Sequence, residues 1–157
     1  MARKKLPAPE DDYDREILGD IRRVGWSVIA IHEEGGQEWP YTFSVGLFHT
    51  FGQPEILFAG LEPRQAGDLT NIIGDAMRAG VEFIPGARWE QMQGLPLYFV
   101  AVGKDRYEEY VGYARWLYGG SDFPLLQCVC PDEQGRFPWE QGYDITALPK
   151  QFLLGKQ

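Results

Sequence analysis

The chain has 157 residues, a length that suits one domain with a sizeable core. Its net charge of −8 and pI near 4.7 repel polyanions, so neither nucleic acid nor an anionic membrane is an expected partner. No apolar run reaches membrane-spanning length and no secretory signal follows the basic start, so we expect a cytoplasmic protein, of undetermined oligomeric state.

The start of the chain differs in composition from the rest. Arg3, Lys4 and Lys5 precede a proline-containing stretch and an acidic run, which is typical of a solvated terminus. We therefore predict a disordered tail over residues 1–10 and a single domain over residues 11–157.

The first half of the domain is predicted to contain one helix and three strands. Apolar residues at helical spacing predict a helix from Asp11 to Val24. Val and Ile enrichment predicts a hairpin of two strands, residues 26–32 and 40–48. The unbroken apolar run 56–60 predicts a strand that is covered on both faces.

The second half is predicted to contain two helices and three strands. A helix from about Pro63 to Ala79 is expected to pack on the sheet through one apolar stripe. The predicted core residues of that stripe are Leu69, Ile72, Ile73 and Met77. Strands are predicted over 86–92, 94–102 and 125–130, with an aromatic helix over 105–118.

The order of these elements favours an α+β single domain. Its sheet is expected to be mainly antiparallel or mixed, with about six strands and three packed helices. A doubly wound fold is not favoured, because the chain has no regular βαβ alternation and no glycine-rich nucleotide motif.

The cysteines and histidines indicate no site of their own. Cys128 and Cys130 lie one residue apart, so a strand places both thiols on one face, and we expect them to be reduced and buried. His32 and His49 are the only histidines, and no metal-ligand spacing joins them to the cysteines. We therefore expect no metal and no cofactor, assign no catalytic residue, and leave open whether the chain is an enzyme.

Glu55 stands at the entrance to a predicted buried strand. A carboxylate at this position can meet backbone donors or a cation, and a satisfied strand-end acid is the commoner outcome. Both alternatives remain open.

Residues 132–143 are predicted to form an ordered loop against the Tyr41-Thr42 strand. Their mixture of aromatic and charged side chains is costly to leave free and costly to bury without partners. The loop therefore either borders a binding surface or uses Trp139 to close the open end of the sheet.

Short motifs of glycines, aromatics and single acids extend over residues 25–143. They are Gly25-Trp26, Tyr41-Thr42-Phe43-Ser44-Val45-Gly46-Leu47, Phe51-Gly52-Gln53-Pro54-Glu55, Gly60-Leu61, and Gln127 followed by Pro131-Asp132, Gly135, Phe137-Pro138-Trp139-Glu140 and Gly142-Tyr143. With these motifs the chain resembles the bacterial domain of unknown function 4262 family. The resemblance implies a compact stand-alone domain and no particular reaction. Gln53 stands where the family has histidine, which argues against a base or metal ligand there.

The favoured hypothesis is a non-catalytic protein-binding module of the immunity- or antitoxin-like kind, whose negative surface masks a basic partner. The alternative is a small-molecule-binding domain or enzyme, including a flavin-binding split-barrel-like protein, with its pocket where residues 41–55 and 132–143 meet. The candidate binding residues are Tyr41, Thr42, His49, Glu55, Asp132, Arg136, Trp139 and Glu140.

Overall fold

A computed structural model describes residues 5–32, 40–92, 95–146 and 151–155 of the chain. The helices of this part are α1 (Asp12–Arg23), α2 (Leu47–Phe51), α3 (Pro63–Arg78), α4 (Tyr107–Tyr110) and α5 (Gly112–Tyr118), with a 3-10 turn at Lys104–Arg106. The strands are β1 (Ser27–Ile31), β2 (Tyr41–Val45), β3 (Glu55–Ala59), β4 (Arg88–Met92), β5 (Leu95–Ala101) and β6 (Leu125–Val129).

The six strands form one sheet in the order β1-β2-β3-β6-β5-β4. The β1–β2 pair is the predicted hairpin, and β4–β5 and β5–β6 are also antiparallel. β3 and β6 run parallel at the centre, because the chain makes a long crossover between them. The fold is therefore α+β with a mixed sheet, as predicted.

Helices cover both faces of this sheet. α3 packs on one face, above a core that includes Ile56, Phe58, Phe99 and Leu126. α1, α4 and α5 pack on the other, above a core that includes Phe43, Val45, Leu57 and Leu125. The central strands β2, β3 and β6 are buried along their whole length, which explains the apolar runs in β3 and β6, whereas β2 buries an alternating sequence with Thr42 and Ser44.

Helix α3 is rotated relative to the predicted stripe. Ile73 and Met77 are buried as predicted, Leu69 is half-buried, and Ile72 is 38% exposed. The rotation follows from close packing at Gly74, where a Cβ atom would lie 2.5 Å from the Trp26 ring. The backbone of Gly74 can approach the indole, so small residues of α3 face the sheet and Ile72 turns to solvent.

Two element boundaries differ from the prediction. The helix expected over 105–118 is divided, because Val111 adopts φ −121° and ψ 51°, outside the helical region, and is followed by Gly112. A β-branched residue next to glycine has low helix propensity. β2 ends at Val45 rather than at residue 48, since Gly46 at φ +121° turns the chain into α2.

Cys128 and Cys130 are free and buried on the α3 side of the sheet, as predicted. Burial raises the pKa of both thiols, that of Cys130 to about 12, so they remain protonated and poorly nucleophilic near neutral pH.

The predicted tail is only partly described. Residues 1–4 lie outside the described residues, while Leu6 packs half-buried against the core beside α1. In the described chain, each helix lacks the length and hydropathy needed to cross a membrane.

Thr42 occupies an unusual position beneath α3. Phe43 belongs to the opposite core, so strand alternation directs Thr42 toward α3, where it is fully buried. Its hydroxyl has no hydrogen-bond partner in the part of the chain that the structure describes. Thr70, equally buried, donates its hydroxyl to the Ala66 carbonyl at 2.7 Å.

This contrast predicts opposite effects of one substitution at two sites. Thr42→Val should raise the unfolding free energy by about 1 kcal/mol, because a buried unpaired hydroxyl costs roughly 1–3 kcal/mol. Thr70→Val, which removes a satisfied hydrogen bond, should be neutral or destabilising. Urea unfolding of both variants tests this, and equal destabilisation would show that the Thr42 hydroxyl has a partner.

Candidate functional site

The Glu55 carboxylate is fully buried at the start of β3 and accepts five hydrogen bonds. Its donors are the Ser44 hydroxyl (2.7 Å), the amides of Gly46 (2.9 Å), Leu47 (3.1 Å) and Phe48 (3.2 Å), and the Tyr118 hydroxyl. These amides open α2 and have no carbonyl partner within that helix. Glu55 therefore acts as a cap supplied from a neighbouring strand.

Two of these donors extend the network. The Ser44 hydroxyl also accepts from the Ile56 amide at 2.9 Å, and the Tyr118 hydroxyl accepts from the His49 amide at 3.1 Å. One carboxylate thus connects the end of β2, the start of β3, helix α2 and the end of α5.

Burial controls the electrostatics of this network. Desolvation raises the pKa of Glu55, and the hydrogen bonds from Tyr118, Ser44 and the amides oppose that rise. Burial and the adjacent carboxylate also raise the pKa of Tyr118. Its hydroxyl therefore stays protonated and donates a hydrogen bond to Glu55. Of the two alternatives for Glu55, this geometry matches the satisfied strand-end acid.

Asp132 organises the segment that follows β6. One carboxylate oxygen accepts from the amides of Gln134 (3.0 Å) and Arg136 (2.8 Å), and the other from the Asp144 amide (3.0 Å) and Arg136 Nε (3.3 Å). Burial favours the neutral acid, but these amides and the Arg136 charge outweigh it and hold the pKa of Asp132 below its usual value. Asp132 therefore holds the two ends of this loop together.

The aromatic part of this loop packs on β5 and β6 rather than on β2. Trp139 stacks on Phe137 at 5.2 Å and meets Tyr98 of β5 edge-on at 4.9 Å. Helices α1, α4 and α5 already cover β2 on this face, so the rings occupy the remaining surface. Trp139 thereby covers this face of β5, and Glu140 accepts from the Phe137 amide at 3.1 Å.

The other candidates lie apart. Tyr41 is 7% exposed beneath Tyr110, at 5.2 Å, and burial together with Tyr110 and Glu109 raises its pKa to about 12. Thr42 is buried under α3. His49 lies in α2 and lines a cleft with Thr50. The predicted meeting of residues 41–55 with residues 132–143 in one pocket is therefore wrong. β3 and β6 separate β2 from β5, and because β3 and β6 are parallel, Glu55 lies at the opposite end of the sheet from residue 132.

The family comparison covers most of this structure. The family model described as Domain of unknown function (DUF4262) matches residues 20–144. The chain belongs to the DUF4262 family. No curated protein and no solved structure gave a significant match.

Within the DUF4262 match, Gln53 has a structural role. Its side chain accepts from the Phe83 amide at 3.0 Å and donates to the Val81 carbonyl at 2.6 Å, which fixes the chain after α3. No group of three or more potential metal ligands occurs among the described residues.

Gln127 links the DUF4262 domain to the C-terminal segment. It accepts from the Leu154 amide at 2.7 Å and donates to the Phe152 carbonyl at 2.6 Å. In the sequence, Gln127 and Ser44 stand out only as members of motifs, and Tyr118 only as the last residue of the predicted aromatic helix. A polar residue inside an apolar strand was the signal for the first two, whereas nothing local indicated that Tyr118 would meet Glu55.

Substituting Glu55 tests the buried cap. In Glu55→Gln an NH₂ group replaces one acceptor oxygen and faces donors, so we expect a loss of about 2–4 kcal/mol in unfolding free energy. Glu62→Gln is a matched control, because Glu62 caps α3 through Arg64 and Gln65 from an exposed position. Chemical denaturation should show a loss below about 1 kcal/mol for the control. Equal losses would contradict the cap.

The lowered pKa of Asp132 predicts a pH effect. Because the pKa of Asp132 is lower in the folded protein than its ordinary value of 3.8, the ionised carboxylate stabilises the fold at pH values above 3.8. That contribution is lost as the pH falls through the folded-state pKa. The stability difference between wild type and Asp132→Asn should therefore be steady from about pH 7 to 5 and shrink below about pH 4. Urea unfolding across this range measures it, with exposed Asp68→Asn as control. A difference independent of pH would exclude this role.

Proposed function

We propose that this DUF4262 chain is a non-catalytic protein-binding module that recognises a basic protein partner through one face of α1, α4 and α5. Its centre is Tyr13 of α1, which packs on Tyr113 of α5. We call it the acidic tyrosine face and define it by this pair, by Tyr110, and by the exposed acids of α1 and its cap and of α4, which are Asp11, Asp12, Glu16, Glu108 and Glu109. The observation that carries the proposal is Tyr13, which remains 45% exposed while packing 5.0 Å from Tyr113. Exposed tyrosines are enriched where proteins bind each other.

Negative charge surrounds this tyrosine pair. Burial raises the pKa of Tyr113, and Tyr13, Asp11 and Asp14 raise it further, which reflects the negative potential at this position. Asp12 pairs with Arg15, but the two side chains are 98% and 61% exposed. Exposed pairs contribute little, so cations of a partner can compete for Asp12.

The predicted residue Tyr41 supports the same face from below. It lies under Tyr110, and the Glu109 charge adds to its raised pKa. A surface of this kind suits the masking of a basic effector, as an immunity- or antitoxin-like protein would do.

Small-molecule binding remains the second candidate, because His49 lines a cleft of about 330 Å³. The described strands form an open sheet, which gives a flavin-binding split barrel no support.

Charge-reversal variants test the proposal. The wild-type protein and the double variant Glu108→Lys/Glu109→Lys are used as baits, and retained proteins are identified by mass spectrometry. Asp68→Lys/Asp75→Lys is the matched control, because it makes the same charge change on exposed positions of α3.

The proposal is supported if a retained basic protein, once purified, binds the α4 double variant at least about tenfold more weakly than it binds the wild type. Its affinity for the α3 control should be unchanged. Tyr13→Ala should weaken the same complex by about 1–2 kcal/mol. Equal loss with both double variants, or no retained protein at low and moderate salt, would overturn the proposal.

A further inference from the structure

The cleft beside His49 collects positive charge in an acidic domain. It lies where the C-terminal ends of α1 and α3 meet α2, and its volume is about 330 Å³. Arg22, Arg23 and Arg78 line it, with Leu6 and Ile21 as apolar lining, and Arg23 forms an ion pair with Asp20 of α1. We call it the arginine cleft. Its volume falls at the lower end of the range for small-molecule sites.

The helix dipole explains why arginines occupy the last turns of α1 and α3. It does not explain why arginines from two helices line the same cleft. Basic residues in a last turn complement the helix dipole, and each of these arginines occupies such a turn. That effect needs no shared cavity. The fold brings the ends of α1 and α3 together, so that three arginines line one space, of which Arg22 and Arg78 have no ion pair with a carboxylate among the described residues.

Arg78 is held in place by its surroundings. It donates to the Val24 carbonyl, and its guanidinium lies 5.6 Å from the Trp26 ring and 5.3 Å from the Phe51 ring. A guanidinium carries five N–H donors, so one bond to a carbonyl leaves others for a ligand. A group fixed in this way loses little conformational entropy when an anion binds.

The wall of the cleft is also preformed. The Thr50 hydroxyl donates to the Gly25 carbonyl at 2.5 Å, which ties α2 to the turn after α1. Gly25 has φ +109°, and a Cβ atom there would lie 3.2 Å from the Arg78 guanidinium. Glycine thus lets the turn approach Arg78 closely.

We propose that the arginine cleft binds a small organic anion. Arg22 and Arg78 bind its carboxylate or phosphate group, since planar guanidinium groups match both oxyanions. Its apolar body lies against Leu6 and Ile21. This site is separate from the acidic tyrosine face, so a protein partner and a small anion are independent functions.

Titration calorimetry with defined probes tests the site. The probes are phenyl phosphate, benzoate, inorganic phosphate and neutral phenol. Phenyl phosphate or benzoate should bind, more weakly as salt is added, while phenol should not. Arg22→Gln should weaken binding at least about tenfold, and Arg22→Lys should recover only part of it.

Arg64→Gln is the control, because Arg64 lies in the first turn of α3, about 21 Å along the helix from Arg78. It should leave binding unchanged, and all variants should keep the wild-type thermal midpoint within about 2 °C. Failure of both organic anions to bind at about 10 mM, equal loss in Arg64→Gln, or inorganic phosphate binding as tightly as phenyl phosphate would overturn the proposal. None of these outcomes bears on the α4 variants that test the protein partner.

Discussion

The buried carboxylate of Glu55 is the interaction on which the rest of the structure depends. A charge without solvent is stable only where donors surround it, and five donors from β2, α2 and α5 do so. This network fixes where α2 begins and therefore where His49 and Thr50 lie. It also anchors the end of α5 through Tyr118. The arginine cleft, which His49 and Thr50 line, consequently depends on this cap.

The DUF4262 motif residues serve mainly as polar junctions inside the fold. Glu55 joins α2 to the sheet, Asp132 closes its own loop, and Gln127 holds the C-terminal segment. In each case one side chain accepts hydrogen bonds from backbone amides that have no carbonyl partner in a helix or strand. The surfaces proposed for binding are formed mostly by other residues, such as Tyr13 and Arg22, which lie on helix exteriors.

Helix α1 contributes to both proposed surfaces with opposite charge. Its first turn carries Asp12 and Asp14, and its last turn carries Arg22 and Arg23. This distribution favours the helix through its dipole, and it also places acid near α5 and base near the end of α3. A domain with a net charge of −8 thereby keeps a local cationic cleft.

The sequence by itself determined most of the elements, because periodicity acts over a few residues, but it did not predict helix α2, whose first residues fell within the predicted strand 40–48. The first helix, the six strands and the burial of both cysteines were all predicted. Only the tertiary structure decided the partners. Glu55 and Tyr118 are 63 residues apart, and the parallel β3–β6 pairing separates the Trp139 loop from β2. Such contacts depend on strand order and on close approaches like that of Gly74 to Trp26, which no local pattern encodes.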